Sequence, residues 1–149
     1  MAEFDIVIHG GRVIDGTGNP WFHGDVAIKN GKIASIGKIP PEQGARAISA
    51  QGYVVTPGYI DMHTHSDQPI VADGNAESKI RQGVTLDIIG ESQTVAPLQG
   101  AILEEYRAEH RKRNGIETDW QTFTGYFNTV MRGGISLNGS ANAVRSCDC

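Results

Sequence analysis

Cysteine is almost missing from this sequence: only Cys147 and Cys149 occur, within its last three positions. Two thiols at that spacing are too close along the chain for an unstrained disulfide. They are also too few for a structural zinc site, which needs four ligands. We therefore expect two free thiols and a fold that does not depend on cross-links.

Positive charge is also scarce, because 13 Lys and Arg stand against 17 Asp and Glu, a net charge of -4. Nucleic-acid and anionic-membrane binders need clustered basic residues in excess, so we expect neither partner and expect a small molecule instead. No apolar run is long enough to span a membrane, and residues 1–5 lack the basic and apolar segments of a signal peptide. A cytoplasmic location is the resulting expectation, while the oligomeric state is left open.

Residues 1–56 consist of short β-rich runs separated by Gly, Asn and Pro. The first two runs flank Gly10-Gly11, which we interpret as a hairpin turn. Two later runs flank Asn30-Gly31, a dipeptide suited to a type I′ turn because both of its residues must adopt positive φ. We predict a small N-terminal β-sandwich module over residues 1–56, forming part of a composite domain.

Residues 57–149 alternate between strand-like and helix-like patterns, and Pro57-Gly58 marks the change. Such alternation predicts an α/β fold with parallel strands. A charged helix face that includes His110 is expected to be solvated, and Asp119 is a candidate N-cap residue. Strands are predicted at residues 59–65, 84–89 and 135–138, and helices at 76–81, around 103–112, and from 119 to 133.

The first of these predicted strands carries the chemistry. Alternation along a strand places Asp61, His63 and His65 on one face, with Met62 and Thr64 on the other. Two neighbouring imidazoles on a buried face need a partner, and a divalent metal such as zinc satisfies them at about 2.0–2.1 Å. The competing interpretation is an exposed edge strand, since short His pairs are common. A βαβ pattern after the pair favours the metal, because (β/α)8 active sites lie at the carboxyl ends of strands.

Several segments, reaching to about Asn138, together match a known family pattern. Residues 10–16, 25–28, 31–33 and 57–65 resemble the amidohydrolase superfamily, while 79–85, 90–92 and 96–98 are most similar to its D-aminoacylase branch, the N-acyl-D-amino-acid deacylases. The resemblance implies a TIM-like (β/α)8 barrel, zinc or another divalent metal, and hydrolysis of a carbon–nitrogen amide bond in a small-molecule substrate.

The resemblance also assigns site residues, with His63 and His65 matching the metal-binding H-x-H pair of the family. D-aminoacylases carry a further ligand cysteine in a G-N-C-G segment, where this chain reads Gly90-Glu91-Ser92-Gln93. A serine hydroxyl is a weak zinc ligand and a carboxylate a competent one, so Glu91 is the candidate site carboxylate. The alternatives are a mononuclear site and a loop or helix-capping role for Glu91.

A complete barrel needs about 250 residues, so residues 57–149 have room for its first three strands only. The later ligands and the general-base aspartate of the family are expected beyond Cys149. We therefore expect a truncated barrel and an inactive isolated chain. Two other readings remain: a cyclic-amide hydrolase resembling dihydroorotase or hydantoinase, and a non-catalytic homologue. Retention of both His63 and His65 weighs against the second of these.

Overall fold

A computed structural model describes residues 2–90, 95–96 and 98–141 as a mixed α/β protein. The chain divides into two compact units, Met1–Pro57 and Gly58–Cys149. Within the described ranges, every helix is too short or too polar to cross a lipid bilayer.

The first unit is one five-stranded sheet rather than the two facing sheets that a sandwich requires. Its strand order is β3-β2-β1-β4, and β5 also pairs with β1. Neighbours β1–β2 and β2–β3 are antiparallel, whereas β4 and β5 run parallel to β1. The strands are β1 (Phe4–Val13), β2 (Phe22–Lys29), β3 (Lys32–Gly37), β4 (Gly44–Ser49) and β5 (Val54–Val55), with a 3-10 helix at Pro41–Gln43.

Two glycine dipeptides of this sheet behave differently. The tight turn at Asn30-Gly31 is confirmed, with φ values of 53° and 70° between β2 and β3. The prediction of a hairpin turn at Gly10-Gly11 is wrong, because β1 runs through both residues with a bulge in its pairing to β2. Gly10 adopts a φ of 76° there and donates its N–H to Asp25 Oδ1 at 2.8 Å. A bulge uses glycine at positive φ without reversing the chain.

The second unit contains three parallel strands in the order β6-β7-β8, with helices in both connections. The predicted βαβ alternation is confirmed. One helix, α1, lies outside the predicted set, and the third strand begins three residues later than predicted. The elements are β6 (Tyr59–Asp61), α1 (Pro69–Ala72), α2 (Glu77–Ile80), β7 (Val84–Ile89), α3 (Gly100–Asn114), α4 (Phe123–Gly133) and β8 (Asn138–Ala141).

Helices α3 and α4 pack into the apolar core of this unit together with residues of α1, β7 and the connecting loops, among them Trp120, which is 2% exposed. Helix α3 ends before Gly115, whose φ of 66° forms the left-handed cap that glycine tolerates. Thr122, not Asp119, caps α4, because Thr122 Oγ1 accepts the N–H of Gly125 at 3.1 Å. The Asp119 carboxylate instead pairs with Arg132 at 2.7 Å.

Candidate metal centre

Strand β6 ends at Asp61, so the H-x-H pair lies in the following loop and not on the predicted strand. The cause is local: Asp61 Oδ1 accepts the backbone N–H of His63 at 3.1 Å. Aspartate side chains compete with sheet hydrogen bonds in this way. We call residues 62–66 the histidine loop.

The two faces expected from strand alternation are therefore absent from this loop. Thr64 turns inward and is 7% exposed, whereas Met62 turns towards solvent and is 67% exposed. Both histidines lie on the exposed side. The loop thus presents its imidazoles outward and keeps a hydroxyl inside.

The imidazoles of His63 and His65 are close enough to share one ion. Their ring centroids lie 5.7 Å apart with an interplanar angle of 87°. Two imidazoles that bind the same zinc at about 2.0–2.1 Å have centroids roughly 5 Å apart, so this pair fits two ligands of a divalent metal. Across the described residues, no set of three or more His, Cys, Asp and Glu side chains is grouped to hold a metal. Glu91, the candidate site carboxylate, lies outside the described residues.

Lys79, in the last turn of α2, contacts both Asp61 and the histidine loop. Its ammonium group donates to the carboxylate of Asp61 and to Thr64 Oγ1, the latter at 2.8 Å. The hydrogen bond from Lys79, together with that from the His63 N–H, lowers the pKa of the Asp61 carboxyl. Asp61 thus holds the backbone of His63 through the N–H of that residue.

Asp87, like Lys79, is a polar residue at this site whose role was not predicted from the sequence. It lies on β7, is 1% exposed, and accepts the Ser66 hydroxyl on Oδ2 at 2.5 Å. Its other oxygen, Oδ1, lies 3.6 Å from Lys79 Nζ. A charged residue inside an apolar strand was the available signal, since carboxylates are almost never fully buried without a partner.

Asp67 and Gln68, directly after the histidine loop, connect it to α3 and α4. The hydroxyl of Tyr126 donates to the carbonyl oxygen of Asp67 at 2.8 Å, and Gln68 donates to the hydroxyl of Tyr106. Burial raises the pKa of the Asp67 carboxyl and of both tyrosines. These groups are buried supports of the loop.

His110 is buried beside this cluster, contrary to the solvated position expected from its charged neighbours. It is 3% exposed, and its ring centroid lies 4.0 Å from that of Tyr106. Burial lowers the pKa of its imidazole below the ordinary value of 6.5. Leu103, Tyr106 and His110 share one face of α3 at helical spacing, and that spacing was the signal for burial.

A pH dependence of stability follows from the buried His110. Because its pKa is lowered by folding, the unfolded chain binds the proton more tightly, so stability is fully present above about pH 6.5 and falls below it. The loss should not exceed about 1.4 kcal/mol per pH unit. His110→Phe should flatten this part of the curve in chemical denaturation between about pH 7.5 and 5.5, whereas His23→Phe, at an exposed site, should not. Equal acid sensitivity of the His110 variant and the wild type would contradict the prediction.

The chain is similar to several known proteins, although no protein-family model matches it. N-acyl-D-glutamate deacylase from Alcaligenes xylosoxydans xylosoxydans is 41% identical over 103 residues, which are 67% of this chain and 21% of that protein. The crystal structure of N-acyl-D-glutamate deacylase from Bordetella bronchiseptica, complexed with zinc and a phosphonate inhibitor, matches 93% of this chain and 29% of its own with a TM-score of 0.78 and 28% identity. A crystal structure of a D-aminoacylase, described as defining a novel subset of amidohydrolases, matches the same shares with a TM-score of 0.76 and 30% identity.

The chain is thus similar to D-aminoacylases and related deacylases of the amidohydrolase kind. It is most like the N-terminal part of the D-aminoacylase branch, and it spans about a fifth of the length of the curated relatives it matches. Another relative, an adenine deaminase from Listeria monocytogenes serotype 4b (strain F2365), is 35% identical over 119 residues, or 79% of this chain and 20% of that protein.

Proposed function

We propose that this chain supplies the first metal-binding segment of a zinc-dependent deacylase that hydrolyses the amide bond of N-acyl-D-amino acids. The observation that carries the proposal is the His63–His65 pair, whose ring centroids are 5.7 Å apart directly after the first of three parallel strands. Residues 57–149 would form the start of a (β/α)8 barrel, and active sites of such barrels lie after the strands. The similarity to deacylases, one of them complexed with zinc, supports the substrate class and the metal.

The residues in and around the histidine loop have different proposed roles in metal binding. His63 and His65 would hold the metal through neutral ring nitrogens, with Glu91 as the proposed further carboxylate of the site. Asp61 holds the backbone of His63. A bound divalent metal supplies hydroxide near neutral pH and polarises the amide carbonyl.

Zinc binding by the chain is the first test of this proposal. The double variant His63→Gln/His65→Gln should lower zinc affinity by at least about tenfold, since the site loses both proposed histidine ligands. Chelator competition measures the affinity, and His23→Gln, an exposed histidine of β2, is the matched control. Wild-type affinity in the double variant would reject the metal assignment.

Substrate class is tested separately, on the complete product of the reading frame that encodes these residues. With added zinc it should hydrolyse N-acetyl-D-glutamate and should leave N-acetyl-L-glutamate, adenine and hydantoin unchanged. Release of ammonia from adenine would favour a deaminase, and ring opening of hydantoin a cyclic-amide hydrolase. Zinc binding without any turnover would favour a non-catalytic homologue.

A further inference from the structure

We infer that Lys79 and Asp87 are positioning residues that hold the histidine loop in the conformation that binds metal. The inference rests on the proposed function, because it concerns the same pair of histidines. It adds two residues from α2 and β7, elements that carry neither of the proposed histidine ligands.

The anchoring contacts alternate with the histidines along the chain. Lys79 binds the carboxylate of Asp61 and the hydroxyl of Thr64, and Asp87 binds the hydroxyl of Ser66. His63 and His65 occupy the positions between these anchors and face outward. His63 therefore lies between the anchored residues Asp61 and Thr64, and His65 lies between Thr64 and Ser66.

The charges explain why a lysine and an aspartate perform this task together. An ammonium group has three N–H donors, and three oxygen groups surround Lys79: Asp61, Thr64 and Asp87. Asp87 is 1% exposed, and a carboxylate so deeply buried is unfavourable without a cation beside it. Lys79 stabilises Asp87, and Asp87 in turn accepts the hydrogen bond from Ser66. The pair thus joins the loop after β6 to the next strand, β7.

Two measurements test the inference together: zinc affinity, and the protection of the histidine loop from amide hydrogen exchange. Lys79→Met should weaken zinc binding by about 10- to 100-fold, the range typical when a group that orients a ligand is lost. Amide hydrogen exchange across residues 62–66 should become faster. Lys112→Met, which removes an exposed lysine of α3, should change neither quantity. Thr64→Val keeps the side-chain volume, loses one acceptor, and should show a smaller loss of affinity even if Lys79→Met folds poorly.

A double variant separates positioning from general stability. Lys79→Met/Asp87→Asn leaves no buried charge without a partner, so its melting temperature should recover towards wild type. Its zinc affinity should stay low, because Asp61 and Thr64 still lack their donor. Recovery of zinc affinity in parallel with the melting temperature, or wild-type affinity in Lys79→Met alone, would overturn the inference.

Failure of the proposed function has a different signature. If the wild-type chain binds no zinc through His63 and His65, the metal assignment fails, yet hydrogen exchange still reports on the loop. Faster exchange at residues 62–66 in Lys79→Met would then support the positioning contacts without the metal. Unchanged exchange would reject them.

Discussion

Trp120→Ala should lower the free energy of unfolding of the second unit by about 3–5 kcal/mol, the range for removing a fully buried aromatic side chain. Trp120 is 2% exposed, and its ring lies edge-on to Tyr126 at 5.4 Å and to Tyr106 at 6.4 Å. Its indole N–H donates to the carbonyl oxygen of Val95 at 3.0 Å. The variant loses the apolar burial, both ring contacts and this hydrogen bond, so the melting temperature should fall by more than about 10 °C.

The other tryptophan of the chain is the natural control. Trp21 is 50% exposed in the first unit, so Trp21→Ala should change stability by less than about 1 kcal/mol. Denaturant titration followed by circular dichroism measures both variants. Comparable losses at the two positions would show that Trp120 is not the centre of this core.

Gly74→Ala should destabilise the second unit by about 3 kcal/mol, the upper end of the usual range for overpacking. A β-carbon at Gly74 would lie 1.7 Å from the carbonyl oxygen of Gly134. The obstacle is backbone, which cannot rotate aside as a flexible side chain can. The carbonyl oxygen of Gly74 also accepts the N–H of Ser136 at 2.9 Å. The substitution should therefore also strain the segment that precedes β8.

Gly133→Ala is the matched control for this crowding. A β-carbon at Gly133, the last residue of α4, meets no described atom within 4 Å. Alanine is the better helix former, so this variant should be neutral or slightly stabilising. Thermal melts of the two variants side by side decide the matter: similar melting temperatures would mean that Gly74 has room for a side chain.

Features set by adjacent residues were predictable from the sequence. Asn30-Gly31 forms its turn because positive φ is needed within the dipeptide itself, and Gly115 ends α3 for a similar reason. The parallel strands followed from the alternation of strand and helix patterns. In each case the deciding interaction lies inside a short window of sequence.

Features set by competing partners were not predictable in this way. The Gly10-Gly11 dipeptide is typical of a turn, but Asp25, 15 residues away, accepts the Gly10 N–H, and the dipeptide lies within a strand. The strand through His63 and His65 reads as continuous until Asp61 captures the N–H of His63. The spacing of the histidines therefore identified the candidate ligands, but not the backbone that presents them.

The supports of the candidate site were hidden for the same reason. Lys79 and Asp87 belong to different elements, and only folding brings them to Asp61, Thr64 and Ser66. No periodicity in the sequence relates these residues to one another. An aspartate within an apolar strand is a clue that some partner exists, without saying which.

The contact between Tyr126 and Asp67 has a consequence for the order in which the protein forms. It joins residues 59 positions apart, and closing so long a loop costs chain entropy before the contact contributes any stability. Ribosomes add about 5–20 residues per second, so the histidine loop emerges several seconds before the helix that carries Tyr126. During that interval the nascent chain carries both imidazoles without this support. Under the proposed function, metal binding in the final geometry would therefore follow the docking of α4.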